Sequence, residues 1–367
     1  MSDQIAVRVP EEALKNFCFQ IFRQVGVSEE DAHLTADLSV TADLRGVASH
    51  GVAHLRRYAD GLRAGTIVAR PPERVVTETP VTAVIDAGAG LGHPASFRAM
   101  QRAIEKARQV GVGFVSVRNS NHHGVVANYA MMALSHDCVG IAMTNASAKV
   151  MPTFGRKPTL GTNPIAIAAP AGQQRPFVLD MATSAIALGK IEIADQVDKP
   201  IPEGWAMYKD GTPATDPHRA MDEFKRNLGA GLLSLGGAGE LLGGHKGYGL
   251  AIAVEIFTAL FSGAAPSPLT YPKTPEGKPG HANIGHFLGA WRVDCFRPIA
   301  EFKQAMDDYQ QLLKDVPKVP GQDRIYIHGE KEFETAERYR RDGIPINRKV
   351  AADLRMLARE LQVESVV

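Results

Sequence analysis

The sequence predicts an α+β fold, with helices toward both ends of the chain flanking a mixed α/β block. Three observations predict it. Residues up to about 65 carry helical periodicity and cap residues but no strand-like run. Past Pro71-Pro72, short apolar runs of strand length alternate with helical stretches. From about residue 300 the pattern returns to amphipathic helix. A chain of 367 residues exceeds what one compact core usually holds. The expected division is a discontinuous helical unit, residues 1–75 and 300–367, around an α/β unit, residues 76–299.

The elements follow in order. Pro10–Val25 is a helix with Leu14, Phe17, Cys18, Ile21 and Phe22 on one face, ended by Gly26. Ser28 through Asp31 resembles a capping box that opens a second helix, to about Arg45 with Gly46 at its end. Ser49 fits the N-cap of a third helix, His50 to about Ala64. Strands are expected at Val81–Asp86, Gly113–Val117, Val139–Thr144, Asn163–Ala169, Pro176–Asp180 and within His286–Phe296, with helices at Pro94–Val110 and Gly124–His136. Asp195–Leu232 is polar and less regular, and Gly236–Gly249 is a glycine-dense loop feeding a buried helix at Tyr248–Phe261. Pro266–Ala282 is a surface loop. Ala300–Asp315, Lys331–Arg341 and Asn347–Leu361 complete the helices, the last with Asn347 as N-cap.

Composition narrows the function. Lys plus Arg number 41 and Asp plus Glu 40, so net charge gives no case for nucleic acid or an anionic membrane as partner. Cys18, Cys138 and Cys295 are scattered and odd in number, which points to a reducing compartment rather than a disulfide framework. The first residues lack a basic segment followed by an apolar run, and the apolar stretch Tyr248–Phe261 is shorter than the roughly 20 residues a span needs. A cytoplasmic location is the expectation.

Chemistry concentrates in Ala42–Tyr58, which holds Arg45, Ser49, His50, His54, Arg56 and Arg57. A histidine at a helix start has its pKa pulled down and is suited to giving and recovering a proton. Guanidinium forks suit carboxylates because they bind them bidentately. The HxxxH spacing of His50 and His54 invites zinc, yet the metalloprotease glutamate is replaced by Gly51, so no metal is expected. Asp86 to His93 mimics a dinucleotide fingerprint but reads GxGxG, with His93 where the last glycine belongs, and is better read as a glycine-rich turn. Arg118–Gly124 forms a strand-to-helix turn able to offer amides to an anion, and Lys246 inside Gly243–Gly249 suits a phosphate.

Taken in order, SHG at 49–51 within ADLRGVASHGV, RNSNHHG at 118–124, TNAS at 144–147, LGTNPIA at 160–166, LDMATS at 179–184, LGGAGELLGGHKGYG at 235–249 and IHGEKE at 327–332 carry a resemblance. The chain resembles the type 2 malate/L-lactate dehydrogenases, NAD(P)-dependent 2-oxoacid reductases without a Rossmann fold, and its tail is most similar to the malate branch. The resemblance spans nearly the whole sequence. It implies a mixed, largely antiparallel cofactor-binding sheet beside a helical domain built from both chain ends. It also implies a homodimer with sites near the subunit interface, and NAD or NADP as cofactor.

The resemblance assigns roles as well. His50 is the implied proton donor, with Ser49 and Asp180 in its relay. Arg45, His54, Arg57, His122 and Thr162 are implied to face a small 2-oxo or 2-hydroxy acid. His122, His123, Gly124, Asp180, Met181, Ala182, His245, Lys246, His328, Gly329 and Glu330 are implied to line the cofactor. One departure stands out: many members carry an arginine where this chain has His54, so either Arg57 or Arg45 supplies the carboxylate clamp or the substrate differs from malate. Reduction of a cyclic imino acid or oxidation of ureidoglycolate on the same fold is the alternative expectation, and a zinc hydrolase a distant one.

Overall fold

A computed structural model describes residues 5–367; residues 1–4, part of the expected helical unit and of the expected leader-free start, lie outside the described residues. The elements run β1 (Ile5–Val9), α1 (Glu11–Gln24), α2 (Glu29–Leu44), α3 (Leu55–Arg63), β2 (Arg74–Glu78), β3 (Thr82–Asp86), α4 (Gly92–Val110), β4 (Val112–Ser120), α5 (Ala127–Met132), β5 (Cys138–Thr144), β6 (Ile165–Ala169) and β7 (Phe177–Met181). They continue with α6 (Gly189–Gln196), β8 (Ala206–Met207), α7 (Pro217–Lys225), β9 (Gly231–Leu232), α8 (Gly244–Glu255), β10 (Ile284–Arg292), α9 (Ile299–Asp315), α10 (Glu330–Asp342), β11 (Ile344–Asn347) and α11 (Arg348–Leu361).

The principal sheet has seven strands in the order β2-β3-β4-β10-β5-β6-β7. Only β3 and β4 pair in parallel, joined by the crossover helix α4; every other neighbouring pair is antiparallel. The sheet is therefore mixed and mostly antiparallel, and the tight turn at Gly88 (φ +56°) and Ala89 (φ +62°) serves one βαβ unit rather than a Rossmann half.

Apolar side chains segregate into separate cores. One lies between the sheet and α4 and α5, and includes Ile85, Met100, Val115, Val117, Tyr129 and Leu288. A second joins residues far apart in sequence: Leu14, Phe17, Ile21, Phe22, Leu55 and Tyr58 pack with Ala336, Ile344, Leu354 and Leu357. Ser28 caps α2 by accepting from the Asp31 amide (3.2 Å), and Asn347 caps α11 by accepting from Val350 (2.9 Å).

The structure departs from the sequence-based expectations at five places. Residues 5–9 form a strand that pairs with β11, so the first stretch is not purely helical. Ser49 caps no helix: residues 48–54 are two short 3₁₀ turns, and the third helix starts only at Leu55. Asp195–Leu232 is largely turns, as expected, but it is not simply polar: Ile201, Tyr208, Phe224 and Leu232 join Ile191 in a third core. The helix expected to be buried from Tyr248 leaves Leu250, Ile256, Leu260 and Phe261 exposed. Residues 300–315 dock on the sheet side rather than in the helical core, because Asp307 accepts from the amides of Gly172, Gln173 and Gln174 (2.6–3.1 Å).

One contact sets the course of the chain through the 3₁₀ turns. The buried carboxylate of Asp43 accepts from the Val52 amide at 2.7 Å. A Cβ on Gly51 would stand 2.0 Å from that carboxylate, so only glycine lets the turn close on it. Burial raises the Asp43 carboxyl to about 7. Gly51→Ala should cost about 2 kcal/mol or more of stability, read as a fall in Tm, because overpacking against a fixed buried group has nowhere to relax. An unchanged Tm would show that the turn reshapes freely.

Candidate active site

The two 3₁₀ turns present Ser49, His50 and His54 on one side, and α3 continues with Arg57 and Tyr58. Ser49 Oγ lies 2.9 Å from His50 Nδ1. The His50 ring stacks with His122 at 5.6 Å between centroids and meets His54 edge-on at 6.1 Å. His54 and His122 stand 4.9 Å apart. Tyr58, buried beneath them, places its hydroxyl 2.6 Å from His122 Nδ1 and meets His93 edge-on at 5.2 Å. The loop after β4 supplies His122 and Gly124, so stretches some 70 residues apart in sequence share one pocket.

The electrostatics of this pocket follow from desolvation and from missing counter-charge. Burial lowers His50, and His54 falls to about 4 through burial and the nearby charges of Arg57 and His50. His50 is thus depressed by loss of water and not by the amides of a helix start. Arg57 is the permanent cation of this wall; its guanidinium donates to the Tyr271 hydroxyl at 2.6 Å. Arg45 is not placed as a clamp: it is buried, with its guanidinium over the Phe333 ring at 4.6 Å and its charge felt by Asp180. Arg56 is engaged by Glu360 (3.1 Å).

A second wall forms around the end of β7. Asp180 accepts from the Ala127 amide at 2.8 Å, which ties this wall to the loop carrying His122. It is open to solvent on one side but hemmed by protein on the others, which pushes its carboxyl up to about 6. Thr183 donates its amide to Thr162 (2.9 Å) and accepts from the Leu235 amide (2.9 Å). The predicted segments around Thr162, Met181, Ala182 and the glycine-dense loop are therefore laced together. That loop folds on itself: a Cβ on Gly244 would stand 2.0 Å from the Gly237 carbonyl. His245 and Lys246 emerge exposed in the first turn of α8. On the other side of β7, the His328 carbonyl accepts from Val178 (3.0 Å), and Gly329, at φ +96°, packs on the same residue.

Two predicted cofactor contacts are committed elsewhere. His123 is buried, stacked on His286 at 4.2 Å and bonded through Nδ1 to Ser96 Oγ (2.9 Å). The Glu330 carboxylate is taken by Lys314 (2.6 Å), Arg324 (3.1 Å) and the Ile327 amide (3.0 Å). Sequence reasoning also missed residues that shape the site. Tyr58 lies one helical turn after His54, a spacing that could have flagged it. Asp43 and the fully buried His93 carry no sequence signal of their place. The motif asparagines serve the frame: Asn145 and Asn163 donate to the buried Glu255 carboxylate at 3.1 and 2.9 Å. No grouping of three or more His, Cys, Asp or Glu among the described residues is disposed to hold a metal ion.

What the arrangement can do is bring an imidazole with a hydroxyl partner, His50 with Ser49, beside the cation of Arg57 and the His122 ring. Comparisons with known proteins identify the family. A sequence model of the malate/L-lactate dehydrogenase family matches residues 9–355. The chain is 43% identical over 364 residues to a malate dehydrogenase of Pyrococcus horikoshii, covering 99% of this chain and 98% of that one. It is 38% identical to an L-sulfolactate dehydrogenase of Methanocaldococcus jannaschii, over 95% of each. The crystal structure of malate dehydrogenase from Entamoeba histolytica superposes with a TM-score of 0.92 at 36% identity, over 98% of this chain and 99% of that one. The chain belongs to the malate/L-lactate dehydrogenase family and is an oxidoreductase of 2-hydroxy acids.

Proposed function

We propose that this protein is a cytoplasmic, homodimeric NAD(P)-dependent dehydrogenase interconverting a 2-hydroxy acid and its 2-oxo acid, with His50 as the acid/base. We further propose a substrate with a second anionic group on the neighbouring carbon, as malate and sulfolactate have. The observation that carries this reading is the Ser49–His50 pair at 2.9 Å, stacked on His122 and beside His54 and Arg57.

The residues of the second wall fit a dinucleotide. Exposed Lys246 and His245 at a glycine-rich helix start suit its phosphates, and the open carboxylate of Asp180 suits a sugar hydroxyl. Thr162, Met181, Ala182, His328 and Gly329 border that surface. When bound, the reduced cofactor supplies the hydride. His50 gives its proton to the carbonyl oxygen as charge gathers there, and takes it back in the oxidative direction. Ser49 holds the His50 ring and can share its proton. Arg57 binds an anionic group of the substrate as a fork, and its bond to Tyr271 limits its motion. Neutral His54 cannot replace the charge of the family's arginine, which leaves that duty to Arg57.

The dimer reading is supported by the apolar side of α8 and the turn after it, where Leu250, Leu260 and Phe261 are 40%, 63% and 58% exposed. Exposed apolar side chains of this kind are what symmetric dimers bury.

His50→Ala should lower turnover by roughly 100-fold, and near-normal turnover would remove His50 from the role. Because burial lowers His50, oxidation of the hydroxy acid, which needs the neutral ring, should keep its kcat/KM until pH falls below the ordinary imidazole value of about 6.5. An acid limb at or above that value would contradict the assignment. A panel of 2-oxo acids and cyclic imines, assayed with both cofactors, should show preference for oxaloacetate or sulfopyruvate over pyruvate, and Arg57→Ala should raise KM for those dianions by about tenfold or more. Turnover of the cyclic imine alone would overturn the substrate reading. Sedimentation should give twice the chain mass at micromolar concentration; a monomer would refute the dimer.

A further inference from the structure

Two groups converge on one nitrogen of His122. The Tyr58 hydroxyl lies 2.6 Å from Nδ1, and the backbone nitrogen of Gly124 lies 3.3 Å from the same atom. A backbone amide only donates, so Nδ1 must offer a lone pair. The Tyr58 phenol, facing that same lone pair, must then donate too; its own pKa is driven up by burial, so its proton stays on. A neutral imidazole with a bare Nδ1 carries its hydrogen on Nε2. The fold builds this arrangement deliberately. Gly124 sits at φ +76°, and a Cβ there would stand 2.7 Å from His93 Nε2, so glycine is what lets the amide turn back onto the ring. Tyr58 is 1% exposed and fixed in the helical core.

The charged and titratable groups around the His122 ring are His50, His54, Arg57, His93 and Tyr58. None is an anion able to support an imidazolium, and burial acts in the same direction, so His122 lies well below the usual imidazole value.

We propose that Tyr58 and the Gly124 amide lock His122 as the neutral tautomer protonated on Nε2, so that His122 serves the reaction as a fixed hydrogen-bond donor to the substrate's carbonyl oxygen and not as its proton source. The proposal rests on the dehydrogenase reading for the identity of that oxygen. It divides labour between two stacked histidines: His50 exchanges the proton, while His122 stabilises the developing oxyanion without changing its charge. Tyr58 is then a positioning residue, acting through His122.

The test is nitrogen NMR of the full-length protein labelled with [15N]histidine, with His122→Asn used to assign the resonances. Between about pH 6 and pH 8 the His122 signals should keep a bare Nδ1 and a protonated Nε2 throughout. A protonated Nδ1, or a ring that titrates in that window, overturns the proposal. Tyr58→Phe keeps the ring packing and removes one donor; it should mix the two tautomers and lower kcat about tenfold, with KM changed less. Wild-type kcat with an unmixed tautomer in that variant also overturns it. Because the nitrogen signals need no substrate, the expected pattern in a protein that reduces no 2-oxo acid would support the lock while refuting the function proposed above.

Discussion

His286 ties the middle of the sheet together. Its Nδ1 meets Thr144 Oγ1 and its Nε2 meets Ser120 Oγ, both at 2.8 Å, in a fully buried setting. Those hydroxyls end β5 and β4, and His286 lies on β10, the strand inserted between them. The loops that carry the site leave from those same two strand ends. Fixing them at hydrogen-bond precision is what lets the His122 turn face the 3₁₀ turns of residues 48–54 on one side and Asp180 on the other.

The site built on that frame has a consistent charge logic. The wall built from residues 49–58 and His122 holds imidazoles whose burial lowers their pKa values, with the exposed Arg57 beside them. The opposite wall keeps its carboxylate, Asp180, open to solvent and stabilised by a backbone amide. On the function proposed above, the cation of Arg57 attracts an anionic substrate into this pocket.

Much of this was legible in the sequence, and the gaps have physical causes. The strand and helix positions followed from periodicity and caps, and the ordered motifs pointed to the family; they also singled out His50 and His122, whose rings the fold stacks together. The motifs could not show which side chains turn inward. His123 and Glu330 sit in the motif segments, yet His123 gives its Nδ1 to Ser96 and Glu330 is taken by Lys314, Arg324 and an amide. Tyr58 and Asp43 were missed because their roles come from partners 64 and 9 residues away, a spacing no local pattern encodes. The mistaken helix cap at Ser49 arose because a hydroxyl before a histidine looks the same whether it bonds a backbone amide or the next ring. The exposed face of α8 read as core because apolarity does not say what covers it.

The pairing of β1 with β11 orders events during synthesis. Residues 5–67 leave the ribosome well before residues 336–358, which their core needs. Everything between them, including the whole seven-stranded sheet, emerges while that core is still half made. The earliest helices must therefore wait with apolar faces uncovered while the sheet assembles, and the longest exposure to aggregation falls on the part of the chain that carries His50.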